Sequence, residues 1–175
     1  GSMSQRKGLA DLFAAFHLLG QKNFHLTVLG APALPLSFYR SKLSNFTYLS
    51  PMPRPQVLAA MREQDILALP SIAEGRALVQ QEALSCGLPL LVTSNAGGGD
   101  LVEKERTGFL VPIRSPEAIA KKLEWFHLNK RRIFDMRLQC LAKSNEYTWN
   151  DYAKKIIKFC LRLHAVQAKI SPNLD

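Results

Sequence analysis

Two carboxylates, Glu74 and Glu82, are separated by seven residues in the stretch Ser71-Ile-Ala-Glu-Gly-Arg-Ala-Leu-Val-Gln-Gln-Glu-Ala-Leu84. The run before them, Asp65-Ile-Leu-Ala-Leu-Pro70, reads as a short buried strand ended by proline, and residues 76–86 read as the helix that follows. Glu74 then sits at the turn, and Glu82 about two turns further on, at ~3.6 residues per turn. A helix N-terminus carries free N–H groups and a positive dipole end. The backbone amides of Arg76, Ala77, Leu78 and Val79 are therefore candidates for meeting a diphosphate. Ionised carboxylates only accept hydrogen bonds, so a pair flanking an anion site suits two sets of vicinal hydroxyls, one on a hexose and one on a ribose. Gly75 leaves room for a sugar ring where a side chain would block it. The side chains of Leu78 and Val79 read as core packing. The pattern fits a sugar nucleotide, although glutamates at this spacing also arise by chance on helices.

The elements that must position these residues alternate. Leu9, Leu12, Phe13, Phe16 and Leu19 recur at helical spacing, which predicts a helix over 8–19, directly after Lys7. Strands are expected at 24–29, ending at Gly30, and at 46–49, before the proline-rich turn Pro51-Met-Pro-Arg-Pro55. A helix over 56–63, strand 65–69, helix 76–86, strand 88–93, a glycine loop at 97–99, a short helix or turn near 100–104 and strand 108–111 follow. Pro116 opens a helix to about residue 128 with Ser115 as N-cap, and helices over 130–144 and 149–166 complete the chain. Strand–helix alternation predicts an α/β fold, a doubly wound, Rossmann-like parallel sheet of five strands covered on both faces. Ligands of such sheets bind at the carboxyl ends of the strands. Gly30, the 49–54 turn, Glu74 to Ala77 and the 95–99 loop all follow predicted strands there.

Lys7-Gly8, Glu74-Gly75 through Glu82, Gly87-Leu-Pro-Leu-Leu-Val92, Asn95-Ala-Gly-Gly-Gly-Asp-Leu-Val102 and Thr107-Gly-Phe-Leu-Val-Pro112 occur in this order. The set resembles the donor half of retaining glycosyltransferases of the GT-B fold, family four, over roughly residues 6 to 160. The resemblance implies a donor-binding domain over 4–160 and a helix end and tail over 161–175, with the acceptor-binding N-terminal domain absent and no turnover by this chain alone. It implies that Glu74 holds donor-sugar hydroxyls, that Glu82 holds the ribose, that Lys7 faces the donor diphosphate, and that Gly30 borders the donor cleft. Arg76 departs from the aromatic or aliphatic residue often found after Glu-Gly, so its side chain could face the leaving phosphate, the acceptor or solvent. A second departure is the start of the chain: relatives carry a strand ending in Gly-Arg before the Lys-Gly helix, whereas here Ser4-Gln-Arg-Lys-Gly8 leads straight into it. The first strand is thus expected to be missing. The implied reaction transfers a hexose from a nucleoside-diphosphate sugar, with retention, to a glycan or lipid-linked acceptor in polysaccharide or cell-envelope synthesis. It uses no cofactor beyond the donor and requires no metal.

Composition sets the bounds. With 175 residues, 47% of them hydrophobic, the chain can build one domain with a real core. No apolar run approaches the ~18 residues that span a bilayer, and Gly1-Ser-Met3 has the look of an expression scar. A cytoplasmic protein is expected, and the resemblance adds peripheral contact at the inner face of the membrane. Cys86, Cys140 and Cys160 lack metal-ligand spacing and read as reduced core residues; His17, His25, His127 and His164 read as structural or surface residues. The net charge of +9 gathers at Lys121-Lys122, Lys130-Arg-Arg132 and Lys154-Lys155. Solvated helix faces explain such clusters, and without a zinc finger or an RNA-recognition signature nucleic acid is not expected as a partner. No G-x-G-x-x-G follows the first predicted strand, which disfavours an epimerase or dehydrogenase. The rival readings are a sugar-nucleotide-binding module without turnover and, on charge alone, a nucleic-acid-binding α/β domain.

Overall fold

The computed structural model describes residues 1–20 and 23–170, with side chains up to residue 164. Its strands are β1 (Ser2–Met3), β2 (Thr27–Leu29), β3 (Ala31–Pro32), β4 (Thr47–Leu49), β5 (Leu67–Leu69), β6 (Leu90–Thr93) and β7 (Gly108–Val111). The helices are α1 (Leu9–Leu18), α2 (Leu36–Lys42), α3 (Arg54–Arg62), α4 (Val79–Ser85), α5 (Pro116–Leu128), α6 (Lys130–Ser144) and α7 (Trp149–Ile170). Every strand pair is parallel: β1 with β3, β2 with β4, and β5–β6–β7 with Leu67 opposite Leu90 and Leu90 opposite Gly108.

A parallel sheet must be covered on both faces, and β6 shows why these residues suit it. All four of its residues are buried, and successive side chains enter opposite layers. Leu91 joins Leu12, Phe13 and Phe16 of α1, Phe109 of β7, and Ile119, Leu123 and Phe126 of α5. Leu90 and Val92 join Ala83 and Leu84 of α4, Leu101, and Cys140 of α6. Gly108 lies in this sheet because a Cβ there would sit 2.0 Å from the Leu90 carbonyl oxygen.

The fold agrees with the expected α/β class and differs in its details. Helices α5 and α6 have the predicted limits, while the strands predicted at 24–29 and 65–69 contract to three residues each. Ser115 occupies the N-cap position of α5 without a side-chain capping bond. Helix α2 was not predicted. Its seven residues carry too short a pattern to read, and Tyr39 fixes it by tertiary contact: the hydroxyl donates to the Met3 carbonyl at 2.6 Å and accepts from the Ala33 and Leu34 N–H groups.

Among the described residues there are seven strands instead of the five expected, the additional two being the short β1 and β3, while the expected lack of a first strand at the centre of the sheet holds, since no strand pairs with β2 and β5 to join them. Ser2 and Met3 form a short strand against Ala31 and Pro32, and the Gly1 carbonyl accepts the Ala31 N–H at 2.9 Å. On the other side the Arg6 carbonyl accepts the Ile72 N–H at 2.8 Å. Residues 1–6 thus lie between the β2–β3 arm and the end of β5. A cleft of about 1360 Å³ opens there, running down β2 and β5 and reaching the carboxyl ends of the strands. It exceeds the size of ordinary small-molecule sites because it follows the strand edges as well.

Candidate functional site

Lys7 closes a turn of 3-10 helix over Gln5–Lys7, and Gly8, at φ 71°, hands the chain to α1. A Cβ at Gly8 would lie 2.0 Å from the Pro70 carbonyl oxygen, so the absence of a side chain lets the Lys7 turn press against the end of β5. Glu74 lies just beyond that end. The Lys7 ammonium and the Arg6 guanidinium both pair with Glu74 Oε1, Arg6 at 3.0 Å, and Arg6 also donates to the Ala73 carbonyl at 3.1 Å. Side-chain exposure is 19% for Lys7 and 11% for Glu74, so Lys7 is not a solvated surface lysine. Partial burial pushes the Glu74 carboxyl upward, but the hydrogen bonds and charges of Lys7 and Arg6 outweigh it and hold the group below its ordinary value. The result is a carboxylate fixed at the strand ends with two cations on one oxygen.

The turn that carries Glu74 is stapled to the loop after β6. Glu74 N–H donates to the Asn95 carbonyl at 2.9 Å and Ala77 N–H to the Ala96 carbonyl at 3.3 Å. Asn95 Nδ2 returns to the Ile72 carbonyl, the buried Gln80 donates Nε2 to Ala96 at 2.8 Å, and Thr93 donates its hydroxyl to the Ser71 carbonyl. Gly97, at φ 70°, comes so close that a Cβ would stand 1.9 Å from the Gly75 carbonyl oxygen, and one at Gly98 would meet the Gln80 amide. At Gly97 and Gly98 the glycine loop is thus a packed brace, whereas a Cβ at Gly99 would meet nothing within 4 Å. Gly75 itself faces open space, where a Cβ would meet nothing within 4 Å.

The other predicted residues fall into two groups. Lys7, Gly30, Ala77, Leu78, Val79 and Glu82 line the cleft. Glu74, Gly75 and Arg76 do not line it. The Arg76 guanidinium turns away to form two 3.1 Å hydrogen bonds with Asp100 and lies over the Tyr147 ring. Burial raises the Asp100 carboxyl, and hydrogen bonds from Arg76 and Tyr147 more than reverse this, leaving it below its ordinary value. Gly30 lacks a side chain for a reason other than ligand access, since a Cβ would lie 2.2 Å from the Gly1 carbonyl oxygen. Of the amides of Arg76, Ala77, Leu78 and Val79, that of Ala77 is already engaged by Ala96. Sequence reasoning placed the 49–54 turn and the 95–99 loop at the strand ends but did not foresee the side-chain contacts of Arg54, Asn95 and Gln80. Arg54 donates Nε to Glu82 Oε1 at 2.8 Å across 28 positions of chain, which no local spacing announces.

Other expected roles resolve simply. His17 pairs with the Lys42 carbonyl, His25 with the Thr47 hydroxyl, and His127 stacks near Phe24. Cys86 and Cys140 are buried, and burial pushes the Cys140 thiol up to about 12, whereas Cys160 is exposed and so is not the core residue expected. Among the described residues no cluster of three His, Cys, Asp or Glu side chains is placed to hold a metal. Part of the basic charge is spent locally: Arg132 pairs with Glu105, Lys143 with Glu103 and Glu146, and Lys122 sits over Phe109.

Comparison with known proteins agrees with this fold. The fold matches the C-terminal domain of a glycosyl transferase group 1 family protein (LpcC) from Francisella tularensis with a TM-score of 0.73 at 18% identity, covering 83% of this chain and 82% of that one. It matches Anabaena Alr3699/HepE, solved in complex with UDP, with a TM-score of 0.77 at 18% identity, over 93% of this chain and 47% of that one. In sequence, the D-inositol 3-phosphate glycosyltransferase of Jonesia denitrificans is 27% identical over 120 residues, 69% of this chain and 28% of that protein. The putative colanic acid biosynthesis glycosyltransferase WcaL of Escherichia coli K12 is 32% identical over 80 residues, 42% of this chain and 20% of that protein. The chain spans about a quarter of the length of the curated relatives it matches. A parallel α/β domain with the Lys7–Glu74 pair at its strand ends, matched over residues 1–129 by the family profile described as Glycosyl transferases group 1, belongs to that family.

Proposed function

We propose that this chain is the donor-binding part of a retaining glycosyltransferase that transfers a hexose from a nucleoside-diphosphate sugar to a hydroxyl of a glycan or lipid-linked acceptor. The observation that carries the reading is the cluster of Lys7, Arg6 and Glu74 at the strand ends, beside a cleft that Glu82 also lines. The HepE complexes with UDP and UDP-glucose, on the same fold, support the ligand class.

In this scheme negative charge grows on the diphosphate as it leaves the anomeric carbon. Lys7 and Arg6 stabilise it, with the backbone amides of Arg76, Leu78 and Val79 beside them. Glu74 accepts hydrogen bonds from donor-sugar hydroxyls and fixes the ring for attack, while Glu82 accepts them from the ribose. The acceptor proton passes to the leaving phosphate. No metal and no cofactor take part in these steps. Because the chain spans about a quarter of its curated relatives, the acceptor is assigned to surfaces outside the described residues. The proposed setting is the cytoplasmic face of a membrane, touched peripherally by α7, where Trp149, Tyr152, Ile156, Phe159 and Leu163 are exposed along one side. Among the described residues no helix is long and apolar enough to cross a membrane.

Calorimetric titration with UDP, GDP and ADP tests the reading. Saturable binding to one of them, weakened by about tenfold or more in Glu82→Ala, is the expected result. Absence of binding to all three would overturn it. Glu74→Ala should weaken the corresponding nucleotide sugar more than the bare nucleotide, because only the sugar carries its hydrogen bonds.

A further inference from the structure

Glu82 does not stand alone at the cleft. Arg54, the first residue of α3, donates Nε to Glu82 Oε1 at 2.8 Å, and the contact is single, leaving Oε2 without this partner. Pro53 and Pro55 flank Arg54, so the chain on either side of it has a fixed φ where the 51–53 turn enters the helix. The Glu82 side chain is 24% exposed and that of Arg54 72%. Glu82 is therefore reachable from the cleft while its partner leans in from the solvent side. A long, unbranched glutamate side chain would otherwise sample several rotamers, and each would have to be narrowed when a ligand binds.

We propose that Arg54 is a positioning residue for nucleotide recognition: it locks the Glu82 carboxylate in one orientation and presents the free oxygen to the vicinal hydroxyls of the ribose. The proposal rests on the reading of this cleft as a nucleotide-sugar site. It assigns Arg54 no direct contact with the ligand. An exposed ion pair contributes little to folding, so the effect belongs to affinity and not to stability.

The test compares wild type, Arg54→Ala, Arg54→Lys, Glu82→Ala and the double variant Arg54→Ala/Glu82→Ala. Each is titrated with the tightest of UDP, GDP and ADP, and with its 2′,3′-dideoxy form. Loss of Arg54 is expected to weaken the ribonucleotide about 3- to 10-fold, the cost of one side chain left to be ordered by the ligand. The dideoxy nucleotide should be indifferent to Arg54, the Arg54→Lys variant should recover part of the loss, and Arg54→Ala should add nothing once Glu82 is gone. Melting temperatures should remain those of the wild type. Equal weakening of both nucleotides would overturn the proposal in favour of a direct contact to base or diphosphate. Unchanged or tighter ribonucleotide binding in Arg54→Ala would also overturn it. Absence of wild-type binding to all three nucleotides would overturn the site reading itself, and this proposal with it, before any Arg54 variant is compared.

Discussion

Glu74 is held in place by charges that are themselves held in place. Arg6 and Lys7 belong to one turn, Gly8 sets that turn against Pro70, and both cations meet one carboxylate oxygen. A pH dependence follows from the lowered Glu74 pKa. The folded carboxyl titrates below its unfolded value, so its stabilising contribution is complete above the ordinary value of 4.5 and is lost as pH falls through the folded value. Urea midpoints of wild type and Glu74→Gln should therefore differ at neutral pH and converge as the solution is acidified below the ordinary carboxylate value of 4.5 and through the folded one. A difference that stayed constant over that range would show that the ion pairs contribute nothing to folding. At this scale the sequence was partly legible. The spacing of Glu74 and Glu82 and the Lys7-Gly8 step could be read along the chain. Arg54, Asn95 and Gln80 could not, because their partners are 28, 23 and 16 positions away and only the fold brings them together.

Among the elements, the turn after β5 and the loop after β6 behave as one part. The glycines near the site have different reasons to be glycine, and the structure separates them. Gly97 has a left-handed backbone and a carbonyl 1.9 Å from where its Cβ would be, whereas Gly75 faces open space. Gly97→Ala should cost about 1–3 kcal/mol of stability in urea unfolding. Gly75→Ala should leave stability near wild type and weaken the nucleotide sugar more than the bare nucleotide, because the added methyl enters the space assigned to the sugar. Equal effects of the two substitutions on stability would contradict the brace. The longer helices α5 and α6 were legible because periodicity persists over 13 and 15 residues. Helix α2 and strand β1 were not, since seven residues and two residues hold no period, and Tyr39 and the Gly1 carbonyl settle them from a distance.

For the whole molecule, charge and apolar surface coincide on α7. Lys154, Lys155, Lys158 and Arg162 interrupt the apolar positions, and the described part of the helix carries no carboxylate after Asp151. Trp149 is 76% exposed at its start. Cosedimentation with vesicles of phosphatidylglycerol and phosphatidylcholine should capture the protein at low salt, each cation near the surface being worth about 1 kcal/mol. Vesicles of phosphatidylcholine alone should capture far less, and the triple variant Lys154→Glu/Lys158→Glu/Arg162→Glu should stay in solution. Equal capture of that variant would remove α7 from the membrane contact. The doubly wound architecture was legible at this scale because strand–helix alternation is a property of the whole chain.

The shared oxygen of Glu74 also sets the character of ligand entry. The two cations already have a counter-charge of the protein's own, so an arriving diphosphate does not meet a bare positive surface. On the function proposed above, it would trade places with a resident anion, and Glu74 would be released toward the sugar as its cations turned to the phosphates. Nucleotide capture would then be an exchange of partners with little change in local charge, and its dependence on salt should be shallower than a chain of net charge +9 suggests.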